Sequence, residues 1–226
     1  MVVMSPSNMK TFMDCPRKFQ AQSITKELKW QASKQKSRGT LVHNALERAL
    51  KSGWDSVLTW PDGMDMDFTR QKVQMARQLI ALGSELCIEQ ELTVNQQLKP
   101  TDWWGEDAML RAKADALILP PGDAPAMLID FKTGKKWDDE DFQLRVECLL
   151  VHLIYNKPVV QYSYWYVDSA DTASGIIDFD NGISPVMDIL EVMKDMKQTI
   201  ASNAYTPKKN RFCKWCGLYQ TPACGL

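Results

Sequence analysis

The sequence predicts an α/β (α+β) fold in which a mixed central β-sheet is flanked by helices, with a helical N-terminal part and a cysteine-bearing C-terminal tail. Three observations point there. Residues before about 86 repeat apolar side chains at helical spacing, whereas from residue 87 onward short runs alternate or are continuously apolar, as strands do. The chain has 226 residues, 45% of them hydrophobic, which suits a single domain with a substantial core.

The elements follow in order. Residues 5–22 open on the cap signal Ser5-Pro6-Ser7 and carry Met9, Phe12 and Met13 on one side, with Cys15-Pro16 breaking or kinking the helix. Residues 38–52 read as an amphipathic helix starting after Gly39, and residues 69–86 as a second long helix. Strands are predicted at 87–94, 109–119 and 126–133, a helix at 138–156, strands within 158–167 and 168–180, and a last helix at 185–202. The organisation expected is one domain over residues 1–226: a helical part (1–86), a core (87–180), and a final helix with its tail (181–226).

Composition excludes disordered, collagen-like and coiled-coil classes. The most apolar stretch, Cys148 to Tyr155, is far short of a membrane span. The N-terminal residues lack the basic and apolar regions of a signal peptide, so the expected location is cytoplasmic. No GxxxxGK[ST] loop occurs, which excludes an ATP motor of that type.

The formal net charge of −1 hides a segregation. Lys10 to Arg38 holds eight basic residues against two acids, and Lys194 onward six against one, while the middle carries 13 basic and 25 acidic residues. Ordinary solvated helix faces account for such clusters about as well as a polyanion partner does.

Six cysteines are present. Cys87 and Cys148 lie in apolar surroundings and read as small buried hydrophobes. Cys213-Lys-Trp-Cys216 followed by Cys224 is a metal-binding pattern one thiolate short of a tetrahedral set, and Cys15 is the best remaining donor. Spacing alone leaves zinc and an iron–sulfur cluster both open.

The most informative segment is the pair of strands around Pro120-Pro121-Gly122-Asp123, strong turn chemistry. A hairpin folded between Gly122 and Asp123 sets Asp115 opposite Asp130, and the two-residue period puts Lys132 on the face of Asp130 with Phe131 pointing away. Two carboxylates facing each other in a buried sheet repel unless a cation lies between them, and hard divalent ions take such donors. An adjacent lysine suits metal-assisted phosphodiester hydrolysis. An exposed Asp/Lys ion pair is the plain structural alternative.

Asp115 followed by Asp130-Phe131-Lys132 resembles the D…(D/E)xK signature of the PD-(D/E)xK nuclease superfamily. Further motifs resemble its RecB-like iron–sulfur branch, in order: Ser5-Pro6-Ser7…Cys15-Pro16-Arg17-Lys18-Phe19, Gly39-Thr40-Leu41-Val42-His43, Gln143, and Cys213, Cys216 and Cys224. The resemblance implies a restriction-endonuclease-like core. It implies a Mg²⁺ or Mn²⁺ held by His43, Asp115, Asp130 and the Phe131 carbonyl, Lys132 acting on the attacking water, and Gln143 contacting DNA or orienting Lys132. It also implies a [4Fe–4S] cluster on Cys15, Cys213, Cys216 and Cys224 joining the two ends of the chain, with zinc the alternative. Arg17, Lys18, Lys135, Lys136 and Arg211 are candidate DNA contacts. Glu147 stands where the branch's QxxxY motif has tyrosine and receives no role.

Other residues carry two readings each. His152 lies in an apolar helix, as core histidines do; Glu91 could support the site or lie at the surface; Arg111 and Lys113 alternate with Asp115, facing site or solvent. Trp30 and Trp137 could stack on unpaired bases, although packing explains most tryptophans. The function expected is a DNA exonuclease working at ends or single strands in recombination, repair or CRISPR-type processes, with partner proteins or self-assembly conceivable. The alternative is a non-catalytic nuclease-fold subunit that binds DNA or a partner.

Overall fold

The computed structural model describes residues 2–28, 34–134 and 141–225, with side chains described from residue 38 in the second stretch. Trp30, Trp137, Lys135 and Lys136 lie outside the described residues. Helix α1 (Pro6–Asp14) starts on a capping box: the Ser5 side chain accepts from Asn8 N, and the Asn8 side chain accepts from Ser5 N. Cys15 closes α1 in an extended conformation, and Pro16 then opens the single turn of α2 (Pro16–Phe19), so Cys15-Pro16 breaks the predicted helix.

Helices α3 (Lys34–Ser52) and α4 (Met66–Ala81) follow. The largest boundary differences from expectation fall in these two helices. Helix α3 begins ahead of Gly39, because one interior glycine costs a long helix only about 1 kcal/mol. Helix α4 stops at Ala81 rather than residue 86, ended by Gly83 at φ 97°.

Five strands form one sheet in the order β1-β2-β3-β4-β5: β1 (Glu85–Asn95), β2 (Ala108–Leu119), β3 (Ala126–Lys132), β4 (Val159–Tyr166) and β5 (Asp171–Asp178). Neighbours are antiparallel except β3 and β4, whose parallel pairing is made possible by α5 (Asp141–Tyr155), the helix between them. The sheet is therefore mixed. Helix α6 (Met187–Ser202) follows β5.

The sheet separates two cores. Helices α1, α5 and α6 pack on one face through residues such as Met9, Phe12, Leu144, Leu150, Ile189 and Met196. Helices α3 and α4 cover the other through Val42, Leu46, Val73 and Ala76, against Ile118, Ile129 and Phe131. This layering of helices on both faces of a sheet hides its continuous apolar strands. Beyond the short β2–β3 pairing, Met4 adds a parallel bridge to Leu110, donating to Met109 O (2.8 Å) and accepting from Arg111 N (2.9 Å). That bridge fixes the start of α1 against β2. Cys148 is buried, Cys87 half-buried, and His152 is held by the Lys157 carbonyl (2.9 Å) and the Phe179 ring, consistent with packing roles.

Candidate active site and cysteine cavity

The β2–β3 ladder pairs Ala116 with Ile129, Leu117 with Leu128 and Ile118 with Met127. Continued by one step, this register sets Asp115 opposite Asp130, as the turn chemistry predicts. Phe131 packs into the α3–α4 core, leaving Asp130 and Lys132 together on the other side.

Two linked clusters result. In the first, Phe131 N donates to Asp115 Oδ2 (2.8 Å), and His43 Nε2 lies 3.0 Å from the Phe131 carbonyl. A carbonyl only accepts, so Nε2 carries the proton there. His43 Nδ1 meanwhile lies 3.3 Å from Asp115 Oδ1. Burial disfavours the imidazolium, but Asp115, Asp130 and the Phe131 carbonyl outweigh it and raise the His43 pKa.

In the second cluster, Lys132 Nζ lies 2.9 Å from Asp130 Oδ2 and donates to Gln143 Oε1 (3.3 Å), with the Tyr164 ring 5.1 Å away. The Gln143 amide nitrogen donates to Asp130 Oδ1 (2.7 Å) and Glu147 Oε1 (2.9 Å). This amide orientation is fixed by charge: its oxygen faces an ammonium and its nitrogen two carboxyls. Asp130 is 4% exposed, and burial pushes its pKa up to about 6, with Lys132 pulling down and the nearby Asp115 charge pushing up.

Two side chains were missed by the sequence reading. Glu147 is 1% exposed and holds Gln143; burial first, then the charge of Asp130, raises its pKa well above the usual carboxylate range. The available signal was an acid four residues after Gln143 within the apolar run of α5. Glu89 is the other. Regular β1–β2 pairing skips Glu89 and Asp115, and Glu89 takes the left-handed φ of 51°. Side chains change faces there: Ala114 and Leu117 lie in one core, Ala116 in the other. Among the described residues, His43, Glu89 and Asp115 can each bring one ligand atom within 4.8 Å of the others. Asp130 is not in that group, its oxygens facing Lys132 and Gln143. Glu91, weighed in place of Glu89, is exposed.

Cys15, Cys213, Cys216 and Cys224 line a single small cavity with Lys18 and Lys208, although 198 residues separate Cys15 from Cys213. Lys208 N lies 3.4 Å from Cys15 Sγ and Asn210 N 3.2 Å from Cys213 Sγ, both as donors. The chain ends are also joined by Arg17 Nε to Ala223 O (2.8 Å), Lys208 Nζ to Met13 O (3.0 Å) and Asn210 Nδ2 to Asp14 O (2.8 Å).

Three of the expected DNA contacts are placed at this end. Arg17 is committed to Ala223 and to Glu27 (2.6 Å), Lys18 borders the cysteine cavity, and Arg211 lies over the Phe212 ring. None of them lines the cleft beside Lys132, where the other cations among the described residues are Lys10, Arg111 and Lys113.

Residues 3–221 match the family profile of the PD-(D/E)XK nuclease superfamily. The chain belongs to this superfamily. A PD-(D/E)XK nuclease core has the mixed, helix-flanked sheet seen here, and the D…DxK residues fall on its second and third strands. Among solved structures, the chain is similar to SSO0001, with 14% identity and a TM-score of 0.48, covering 93% of this chain and 81% of that one. It is also similar to an alkaline exonuclease (LHK-Exo) from Laribacter hongkongensis, with 11% identity and a TM-score of 0.36, covering 89% of each chain. No curated protein matches the chain. No described helix is long and apolar enough to cross a membrane.

Proposed function

We propose that this superfamily member is a Mg²⁺- or Mn²⁺-dependent deoxyribonuclease acting at DNA ends or on single strands, with a structural [4Fe–4S] cluster. The observation that carries the reading is the continuous network from His43 through Asp115 and Phe131 to Asp130, Lys132 and Gln143. His43, Asp115, Asp130 and the Phe131 carbonyl supply a mixed nitrogen–oxygen donor set, and Glu89 adds a carboxylate within reach of His43 and Asp115. The donor chemistry fits: Asp115 and Asp130 stand on adjacent strands, and the Asp130 pKa is raised first by burial, with the nearby Asp115 charge adding to it. When bound, a divalent ion polarises a phosphodiester and lowers the pKa of a water. Lys132, oriented by Asp130 and Gln143, holds the attacking water and offsets negative charge developing on the phosphate.

Four cysteines around one small cavity supply the ligand number of a [4Fe–4S] cluster, with one zinc ion the alternative. Amide donors on the Cys15 and Cys213 sulfurs suit anionic ligands.

End-labelled single- and double-stranded DNA incubated with Mn²⁺ tests the activity. Lys132→Ala and Asp130→Asn are expected to lose cleavage while keeping their circular dichroism spectra; full activity in either variant sinks the mechanism. Iron near four per chain in anaerobically purified protein supports the cluster, and one zinc in colourless protein overturns it.

A further inference from the structure

Beside Lys132 and Gln143 opens a cleft of about 520 Å³. One wall is the start of α1, carrying Lys10; the other is the outer part of β2, carrying Arg111 and Lys113 and continuing into Trp103. Lys10 and Lys113 are exposed, and Lys113 also pairs with Glu89. Walls with three cations leading to a fourth, Lys132, are complementary to a phosphate backbone.

The loop at the rim is built rather than loose. Arg111 Nη1 donates to Trp103 O (3.0 Å), and its guanidinium lies 4.5 Å from the Trp103 ring centre and 4.9 Å from that of Trp104. Asp107 receives Thr101 Oγ1 (2.7 Å) and Asn95 Nδ2 (3.0 Å), and Gly105 N donates to Asp102 O (2.9 Å). This braced loop holds Trp104 81% exposed. A large apolar ring that stays mostly open to water beside a cationic cleft, although Arg111 and the edge of Trp103 touch it, is a surface on which a base can stack.

We propose that this cleft receives an unpaired nucleic-acid strand: Trp104 stacks a base while Lys10, Arg111 and Lys113 guide phosphates toward Lys132. Paired bases keep their faces inside a duplex, so a stacking platform selects single strands. The inference rests on the nuclease reading only for where the strand leads, and its test is therefore run without metal.

In EDTA, fluorescence anisotropy with a labelled oligothymidylate and with a blunt hairpin duplex compares wild type, Trp104→Ala, Trp104→Phe and Lys10→Gln. Stacking of one base predicts a loss in single-strand affinity on the order of tenfold for Trp104→Ala, most of it restored by Phe, with duplex affinity unchanged. Lys10→Gln is expected to lower the slope of log affinity against log salt by about 0.7. Unchanged single-strand affinity in Trp104→Ala, or an equal loss for duplex, overturns the proposal. Tight single-strand binding lost in Trp104→Ala, with no cleavage under any metal, keeps the platform and refutes the nuclease reading instead.

Discussion

Replacing Glu147 by glutamine should change how stability depends on pH, and the size of the change follows from its surroundings. The Glu147 carboxyl is 1% exposed; one oxygen accepts from Gln143, and the other has no hydrogen-bond partner. Burial and the neighbouring Asp130 charge raise its folded pKa well above the ordinary value of 4.5. The folded state therefore keeps a proton that the unfolded chain releases. Stability from this group is fully present below the unfolded pKa and is lost as pH rises toward the folded one. Across that window the loss is about 1.4 kcal/mol per pH unit. With an unfolding entropy of about 2.1 cal/mol/K per residue, that slope is about 3 °C in Tm per pH unit for a chain of this size. Glutamine keeps the acceptor for Gln143, mimics the neutral acid and does not titrate. Thermal melts of metal-free protein in EDTA, followed by circular dichroism between about pH 5 and pH 8, read the difference. The two proteins should share a pH trend at the acidic end and diverge upward, the glutamine variant gaining at most about 3 °C per unit over wild type while the pH lies below the raised folded value. A constant offset across the range, or a growing deficit in the variant at high pH, would refute a carboxyl kept neutral by burial.

Two further outcomes test the metal side and the lysine side separately. Glu89→Gln should weaken Mn²⁺ binding on the order of tenfold by calorimetry, whereas Glu91→Gln, at the exposed neighbour, should leave it unchanged; equal effects would remove Glu89 from the donor set. Gln143→Leu should cost about 10- to 100-fold in kcat through misplacement of Lys132, with little effect on metal affinity, and a normal kcat would show that Asp130 alone orients the lysine.

The hairpin was legible because its chemistry is local. Turn residues fixed its centre, and alternation along β3 then put Asp130 and Lys132 on one side and Phe131 on the other without reference to the rest of the molecule. Glu89 was not legible. Alternation gives Glu89 and Glu91 the same face, and only the left-handed residue that interrupts β1 turns the first toward His43 while the second stays at the surface. Glu147 escaped for the opposite reason: its position was noted, but a tyrosine motif supplied no role for a carboxyl, and burial is a property of the packed helix. Charge along the chain does not map directly onto the cleft. The expected DNA contacts were Arg17, Lys18, Lys135, Lys136 and Arg211; Arg17 pairs with the tail, and among the described residues three of the four cations lining the cleft come from the acidic middle. Sheet topology interleaves segments, so charge segregated in sequence need not stay segregated in space.

Helix α1 connects the two sites, and that connection decides what the cysteines contribute. Its first two turns line the cleft with Ser7 and Lys10, and Cys15 follows its end, about 12 Å from Ser7 and about 8 Å from Lys10 at 1.5 Å per residue. Sequence separation alone suggests that losing a cysteine ligand unfolds the whole chain. The packing argues for a local effect. Helix α1 buries Met9 and Phe12 in the main core and Tyr205 joins it there, whereas among the described residues the tail's own core is Ala21, Leu218 and Cys224 with Leu28 and Cys216 against them. Cys15→Ser should therefore release the tail after Tyr205 to limited proteolysis while the sheet keeps its main melting transition. With the far end of α1 no longer clamped, KM for a single strand should rise several-fold and kcat should hold, because Asp130, Lys132 and Gln143 stand on β3 and α5 rather than on α1. A kcat lost in step with KM, in protein whose sheet still melts normally, would place the cysteine centre in the chemistry and refute a purely structural role.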